Sequence, residues 1–187
     1  MKAVTRIAGR AFPFGRRNVD TDVIIAARHL KTISRIGLGR HAFETVRAEP
    51  GNVFGDPAFA GAPILIAGDN FGCGSSREHA AWALADMGIE AVIAPGFSDI
   101  FAGNAFRNGI AAVVLPQRAV DRLLDVAREH ALVVDLHGMT VASPAGDLYY
   151  FEMDAFRREC LMAGHDEIAL TLAREPAIRA YELRTGI

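Results

Sequence analysis

Cysteine is scarce in this sequence. The 187 residues include only Cys73 and Cys160, which are too few for a disulfide framework. An iron-sulfur cluster normally takes three or four thiolate ligands, so this chain is not expected to hold one alone. The pattern is typical of a reducing compartment, and we predict a cytoplasmic protein.

Long apolar runs and an excess of basic charge are also missing. The segment Met1–Phe14 places Lys2, Arg6 and Arg10 between small and apolar residues, without the apolar run of a signal peptide or membrane span. Twenty basic against 22 acidic residues give a formal charge of -2, which provides no positive field for a polyanion. We expect no membrane and no nucleic-acid partner.

Histidine spacing does not indicate a metal site. The six histidines form no i, i+4 pair and accompany no Cys-x-x-Cys, so an autonomous metal centre is not expected. His79 is predicted to support the start of a helix.

Length and apolar periodicity predict one α/β domain over residues 1–187. Three short apolar runs, Ile64–Ala67, Ala91–Ala94 and Ala111–Leu115, are each followed by a turn and a helical pattern. The predicted helices are Ser76–Met87, Ser98–Arg107 and Arg118–His130. Crossover helices join parallel strands, so this part predicts a mostly parallel sheet flanked by helices.

The C-terminal third follows another pattern. Three short runs, Leu132–Leu136, Thr140–Ala142 and Leu148–Phe151, are separated by glycine turns and predict an antiparallel meander. Residues Ala155–Leu183 are predicted to be helical, with breaks at Gly164 and near Pro176.

The segment Asn70–Ala80, Asn-Phe-Gly-Cys-Gly-Ser-Ser-Arg-Glu-His-Ala, joins a buried strand to a helix. Its simplest interpretation is a capping box, in which Ser75 and Glu78 satisfy the helix start. The polar run Ser75, Ser76 and Arg77 after two glycines exceeds what one cap needs. Helix N-termini after strands also bind anions, which makes an anion site the alternative.

Comparison with three known motifs narrows the kind of anion that this segment could bind. The segment lacks the Gly-Lys of a P-loop, it has Arg77 where a dinucleotide fingerprint needs glycine, and Gly74 directly precedes Ser75, unlike a nucleophile elbow. A guanidinium matches a carboxylate bidentately, so a carboxylate ligand remains.

The sequence leaves two interpretations of Cys73 open. It is either a reactive thiol or only a small side chain in the glycine turn.

Two further segments are candidates for the site. Asn18–Ile25 places carboxylates on both sides of Thr21, and Asp20 or Asp22 could simply cap a helix or turn. His29–Arg40 is basic and punctuated by glycine, so it is either a solvated loop or a substrate lid.

Four segments together resemble a known family. Asn70–Ala80 is similar to the signature of the small subunit of 3-isopropylmalate dehydratase, a relative of the swivelling domain of aconitase. Asn18–Asp22 resembles that family's Asn-x-Asp-Thr-Asp, Ile93–Phe101 its Ile-Ala-Pro-x-Phe-x-Asp-Ile-Phe, and Asp154–Cys160 its Asp-x-Phe-Arg-x-x-Cys. The resemblance covers essentially the whole chain and implies a single swivelling β/β/α-type domain.

The resemblance implies a hydro-lyase of leucine biosynthesis, split between two chains. Such an enzyme removes water from 2-isopropylmalate to give 2-isopropylmaleate and adds it back at the neighbouring carbon to give 3-isopropylmalate. A large subunit would carry a 4Fe-4S cluster, and this chain would bind no cofactor.

The resemblance also implies residue roles. Ser75 would be the base, Arg77 would hold a substrate carboxylate and assist Ser75, and Ser76 would donate a hydrogen bond beside them. Leu30 and Lys31 would lie in the loop over the alkyl substituent. Asp22, Thr21 and Gly74 would support the site.

Departures from the family pattern lie near that loop. The sequence has Ile36 and Leu38 where Thr and Phe are usual, and Ala81 where proline often precedes the tryptophan. These departures leave the identity of the alkyl group open. A related hydro-lyase that acts on citramalate, dimethylmalate or another 2-alkylmalate is therefore an alternative. A carboxylate-binding module without turnover is the alternative from another class.

Overall fold

The computed structural model describes residues 1–186 and contains two four-stranded sheets with eight α-helices. The strands are β1 Arg6–Gly9, β2 Ala11–Pro13, β3 Ile64–Ile66, β4 Ala91–Ala94, β5 Ala111–Val114, β6 Leu132–Asp135, β7 Thr140–Ala142 and β8 Leu148–Tyr150. The helices are α1 Thr21–Ile24, α2 Glu44–Arg47, α3 Glu78–Asp86, α4 Asp99–Arg107, α5 Gln117–Val126, α6 Ala155–Ala163, α7 Glu167–Ala173 and α8 Glu175–Thr185. Short 3-10 turns lie between β2 and β3.

The first sheet is parallel, in the order β2-β3-β4-β5. Its strands β3 and β4 are completely buried, as the continuous apolar runs predict for strands covered on both faces. Ile64 and Ile66 face one core cluster, whereas Leu65 faces the other, which contains buried residues of α3 and α4. The period of two along a strand divides the core into these two layers.

The second sheet is antiparallel, in the order β1-β6-β7-β8. Ile7, Val134 and Val141 of this sheet share a buried cluster with Ile64 and with residues of α5. One layer of apolar side chains therefore joins the two sheets.

The α/β prediction is confirmed, and so are the antiparallel meander and the three parallel strands, whose bounds differ from the prediction by at most one residue. The helical breaks are confirmed, since Gly164 ends α6 with a positive φ of 72° and Pro176 lies in the first turn of α8. Ser98 caps α4 by accepting from Phe101 N at 3.2 Å. The apolar pattern does not reveal β1 and β2, which are only four and three residues long and are separated by Arg10.

The helices of the structure can be compared with the expectation that the protein has no membrane partner. Within residues 1–186, no helix combines the length and apolar character needed to cross a bilayer.

The two-layer core leads to a prediction about the free energy of unfolding. Ile93 in β4 is fully buried, whereas Ile33 is 97% exposed. Ile93→Ala should lower the free energy of unfolding by about 2–5 kcal/mol, because it removes buried methyl groups and leaves a cavity. Ile33→Ala deletes the same atoms and should change stability by less than about 0.5 kcal/mol. Urea unfolding of both variants measures the difference, and equal losses would contradict the assignment of β4 to the core.

Candidate active site

Two loops that are distant in sequence are hydrogen-bonded together at the carboxyl edge of the parallel sheet. Gly72 N and Cys73 N donate to Val19 O at 2.8 and 3.1 Å, and Thr21 N donates to Cys73 O at 3.0 Å. The Thr21 hydroxyl, on a buried side chain, donates to Ser75 O at 2.9 Å. These bonds fix the backbone of Ser75 against the start of α1.

Two glycines permit this close approach. Gly72 and Gly74 have φ values of 74° and 83°, a region that other residues rarely adopt. A Cβ on Gly72 would overlap the ring of Phe101, and one on Gly74 would overlap the carboxylate of Asp20. Gly74 therefore allows the Asp20 side chain to lie directly beneath the loop.

The helix that follows begins later than the sequence predicts. Arg77 is the N-cap of α3, with φ -124° and ψ 105°, and no side chain caps it. The predicted capping box between Ser75 and Glu78 is therefore wrong, because Ser75 lies two residues before the N-cap. The Glu78 carboxylate instead accepts from Trp82 Nε1 and Asn108 Nδ2, both at 3.1 Å.

This arrangement keeps Glu78 ionised. Burial raises the pKa of its carboxyl, but the hydrogen bonds from Asn108 and Trp82 and the positive charge of Arg35 outweigh burial. The net result is a Glu78 pKa below its ordinary value. Glu78 is thus a fixed negative charge on α3.

Ser75 and Ser76 are exposed, in the segment between the glycine turn and α3. The first N–H groups of a helix have no partner within it, and the helix dipole places partial positive charge there. Ser75 and Ser76 therefore directly precede a helix end that stabilises an anion.

Arg77 reaches back to α1 and forms an ion pair with Asp22. The Arg77 side chain is only 19% exposed, against 48% for Asp22. Asp20 is the N-cap of α1, and its carboxylate accepts a hydrogen bond from Asp22 N at 2.8 Å. The two aspartates thus divide the roles that the sequence left open: Asp20 caps α1 and Asp22 holds the guanidinium.

The loop expected over the substituent follows α1. Leu30 is half-buried and packs against the core cluster of α3, and Lys31 is exposed. Ile33 and Ile36 are 97% and 85% exposed on the same loop. The sequence pattern marks Ile36 only as a departure from the family and does not mark Ile33, although isolated apolar residues in a basic, glycine-punctuated loop are an available signal.

A polar cluster closes the base of this loop. The rings of His29 and His41 stack at 3.9 Å between centroids, and His29 Nε2 lies 2.7 Å from Glu44 Oε2. The ligand atoms of these three residues lie within 4.8 Å of one another, a spacing that could hold a metal ion. Sequence spacing gave no sign of this cluster, because His29 and His41 are twelve positions apart.

Two guanidinium groups already occupy ligand atoms of this cluster and disfavour the binding of a cation there. Arg28 Nη2 lies 2.6 Å from the same Glu44 oxygen, and Arg40 Nε donates to His41 Nε2 at 3.0 Å. Hydrogen bonding by Arg28 and then His29 holds the pKa of Glu44 at about 2. Desolvation and then the positive charges around His41 lower its pKa. An incoming ion would have to displace both arginines, so we describe the cluster as an ion-pair network.

The cysteines do not fit an iron-sulfur cluster. Cys73 is half-buried in the glycine turn, and Cys160 is buried on α6. Burial raises the pKa of the Cys160 thiol, and the negative charges of Glu159 and Asp154 raise it further. Two thiols on separate elements, one of them held as a thiol, do not supply a cluster's ligands.

The site therefore combines an exposed hydroxyl, a positioned guanidinium and the start of a helix. Such a set can bind a carboxylate through the guanidinium fork and stabilise negative charge on a nearby oxygen. It can also accept a proton from a carbon next to that carboxylate.

Comparison with known proteins agrees with this geometry. The family model for the aconitase C-terminal domain matches residues 1–118, which include both hydrogen-bonded loops and α3. The chain belongs to the aconitase C-terminal domain family.

Full-length relatives narrow the family. The chain is 64% identical to the 3-isopropylmalate dehydratase small subunit of Novosphingobium aromaticivorans, over 98% of this chain and 91% of that protein. It is 62% identical to the small subunit of Erythrobacter litoralis, over 98% and 92%. A crystal structure of 3-isopropylmalate dehydratase from Methanocaldococcus jannaschii is similar, with TM-score 0.69, 26% identity and coverage of 95% and 99%. Within that class the chain is a member of the 3-isopropylmalate dehydratase small-subunit family.

The close approach at Gly74 yields a testable prediction. Gly74→Ala should lower the free energy of unfolding by more than the roughly 1–2 kcal/mol that a positive φ costs alanine, because Asp20 occupies the added space. Gly61 has a similar φ of 71° with nothing within 4 Å, so Gly61→Ala measures the φ cost alone. Equal losses in denaturant unfolding would show that Asp20 does not lie against Gly74.

The ion-pair network predicts a pH-dependent contribution to folding. The pKa of Glu44 is about 2 in the folded protein, against 4.5 ordinarily, so its stabilising effect is complete above pH 4.5 and disappears toward pH 2. Glu44→Gln should therefore lower stability at pH 7 and have progressively less effect below pH 4.5. Urea unfolding from pH 7 to pH 3, with Glu182→Gln on α8 as control, measures this; a constant difference would contradict it.

Proposed function

We propose that this chain is the small subunit of a hydro-lyase that converts 2-isopropylmalate to 3-isopropylmalate through 2-isopropylmaleate, in leucine biosynthesis. One observation carries the proposal: the exposed Ser75 and the Asp22-held Arg77 lie two positions apart at the start of α3. The high identity to dehydratase small subunits supports the same function. We further propose one cytoplasmic domain spanning residues 1–187, supported by the core that both sheets share.

Ser75 is the base in this proposal. A proton next to a carboxylate is weakly acidic, so its removal needs a basic group within hydrogen-bond reach. A serine hydroxyl acquires that basicity only as an alkoxide. The positive end of α3 and the charge of Arg77 favour the alkoxide, and the exposed position leaves Ser75 open to a substrate.

Arg77 binds a substrate carboxylate. Its ion pair with Asp22 anchors the guanidinium from one side, which fixes the direction of the remaining N–H groups. A fork held in this way loses little conformational entropy when it binds. Ser76, exposed beside it, donates a further hydrogen bond to the bound acid.

The loop after α1 contacts the alkyl substituent. Lys31 is exposed, and Leu30 is partly withdrawn into the core, so Leu30 presents only part of its surface. The exposed Ile33 and Ile36 add apolar area to the same loop. Apolar side chains at these positions favour an isopropyl group over a charged substituent.

The chain supplies only half of the chemistry. Hydroxide is a poor leaving group and needs a Lewis acid, which the two cysteines of this chain cannot hold in the form of a cluster. We place that acid on a large subunit that carries a 4Fe-4S cluster, in a heterodimer or higher complex. The small subunit alone should therefore be inactive.

A related substrate is the second candidate. Ile36 stands exposed in the loop and Leu38 is buried beneath it, where the family usually has Thr and Phe. These changes alter the surface over the substituent, so citramalate or dimethylmalate belongs in every assay. Turnover of the methyl compounds equal to that of 2-isopropylmalate would reassign the substrate.

The role of Ser75 is tested by Ser75→Ala in the complex with the large subunit. Turnover should fall by about 10²- to 10⁴-fold, the usual contribution of a general base, while the complex still forms. Ser143→Ala, in the β7–β8 turn, is the matched control and should be fully active. Unchanged turnover in Ser75→Ala would remove the base and favour a carboxylate-binding module without catalysis.

Arg77→Lys tests the carboxylate contact. The variant keeps the positive charge and loses the planar fork, so KM for 2-isopropylmalate should rise about 10- to 100-fold, as expected when a charged hydrogen bond is lost. Steady-state kinetics of the complex measures the change. Arg179→Lys on exposed α8 should leave KM unaltered, and an equally small effect at Arg77 would contradict a carboxylate-binding role.

A further inference from the structure

The loop that follows α1 is fastened to the far end of α3. The Asp86 Oδ2 atom accepts hydrogen bonds from Gly37 N at 2.9 Å and from Gly39 N at 2.7 Å. Leu38, between these two glycines, is buried. One carboxylate oxygen therefore holds the returning limb of the loop.

Backbone contact strengthens this attachment. A Cβ on Gly39 would overlap the backbone of Asp86 and Met87. Gly39 thus packs directly on the last residues of α3. The loop cannot shift along the helix at this point without losing both hydrogen bonds.

The outgoing limb of the loop rests on the first turns of the same helix. His79 Nε2 lies 3.0 Å from Thr32 O, and the guanidinium of Arg35 lies over the Trp82 ring at 5.1 Å from its centroid. The nine-residue helix α3 is about 13 Å long. It therefore contacts the loop along its length, while its N-terminal end holds Ser75–Arg77.

The position of Asp86 is not explained by helix stability. Asp86 is the last residue of α3, where a negative charge is unfavourable next to the negative end of the helix dipole. Its two backbone partners lie in the loop and not in the helix. Its interactions thus serve the loop.

We propose that Asp86 is a positioning residue that sets alkyl-group selectivity by holding the loop in a fixed position along α3, whose start carries Ser75 and Arg77. The inference rests on the proposed function, in which this loop contacts the substituent. Asp86 itself does not touch the substrate. Its loss should lower discrimination between substituents and leave the proton transfer at Ser75 intact.

The test uses the complex of this chain with its large subunit and two substrates, 2-isopropylmalate and citramalate. Asp86→Ala should reduce the ratio of kcat/KM for the isopropyl over the methyl compound about tenfold, within the range that small alkyl differences supply. The loss should lie in KM for 2-isopropylmalate, with kcat for citramalate retained. Asp86→Asn keeps an oxygen acceptor at the same place and should restore most of the ratio.

A second measurement needs no catalysis. Trypsin should cleave isolated Asp86→Ala faster than wild type after Lys31, Arg35 or Arg40 in the released loop. Asp125→Ala, in the last turn of α5, is the matched control and should change neither cleavage nor selectivity. Thermal unfolding of each variant shows that it is folded.

Three results would overturn the inference: an unchanged selectivity ratio in Asp86→Ala, an equal loss of activity on both substrates, or unaltered cleavage of the loop. None of them bears on Ser75. Conversely, an active Ser75→Ala complex would refute the proposed function even if Asp86→Ala releases the loop.

Discussion

The hydrogen bonds between Val19–Thr21 and Gly72–Ser75 are the constraint on which the site depends. They join an early loop to the turn that precedes α3, across more than fifty residues of sequence. Because Gly74 leaves room for Asp20, the two backbones approach closely enough for Asp22 to reach Arg77. The backbone of Ser75 and the guanidinium of Arg77 are thereby held at the start of α3. Groups fixed in this way before a substrate binds provide the preorganisation that electrostatic catalysis requires.

A single helix then serves two purposes. The start of α3 carries the polar residues of the site, and its side and end hold the loop that follows α1, through His79 and Asp86. In the proposed function, reaction chemistry and substrate selection are thus attached to one rigid element. Rigid elements hold such groups more accurately than free loops do, and buried Ala80 and Leu84 fix α3 in the core.

Much of this fold could be predicted from local patterns, and the site only in part. Apolar runs and caps predicted β3–β5, the meander and the three C-terminal helices, because those signals are local. The start of α3 was misplaced because Ser75 and Glu78 have capping-box spacing, while Trp82, one turn further along α3, and the distant Asn108 donate to the Glu78 carboxylate. The Arg77–Asp22 pair and the two bonds to Asp86 join residues about fifty positions apart, and no local pattern reports such contacts.

The central claim is that the Ser75 oxygen removes a proton from the carbon next to a substrate carboxylate. It is tested most directly by isotope exchange: the wild-type complex and the Ser75→Ala complex are incubated with 2-isopropylmalate in deuterium oxide, and the recovered substrate is analysed by mass spectrometry. We expect deuterium at the methylene carbon with the wild type and none above background with Ser75→Ala. Equal incorporation by both complexes would contradict it.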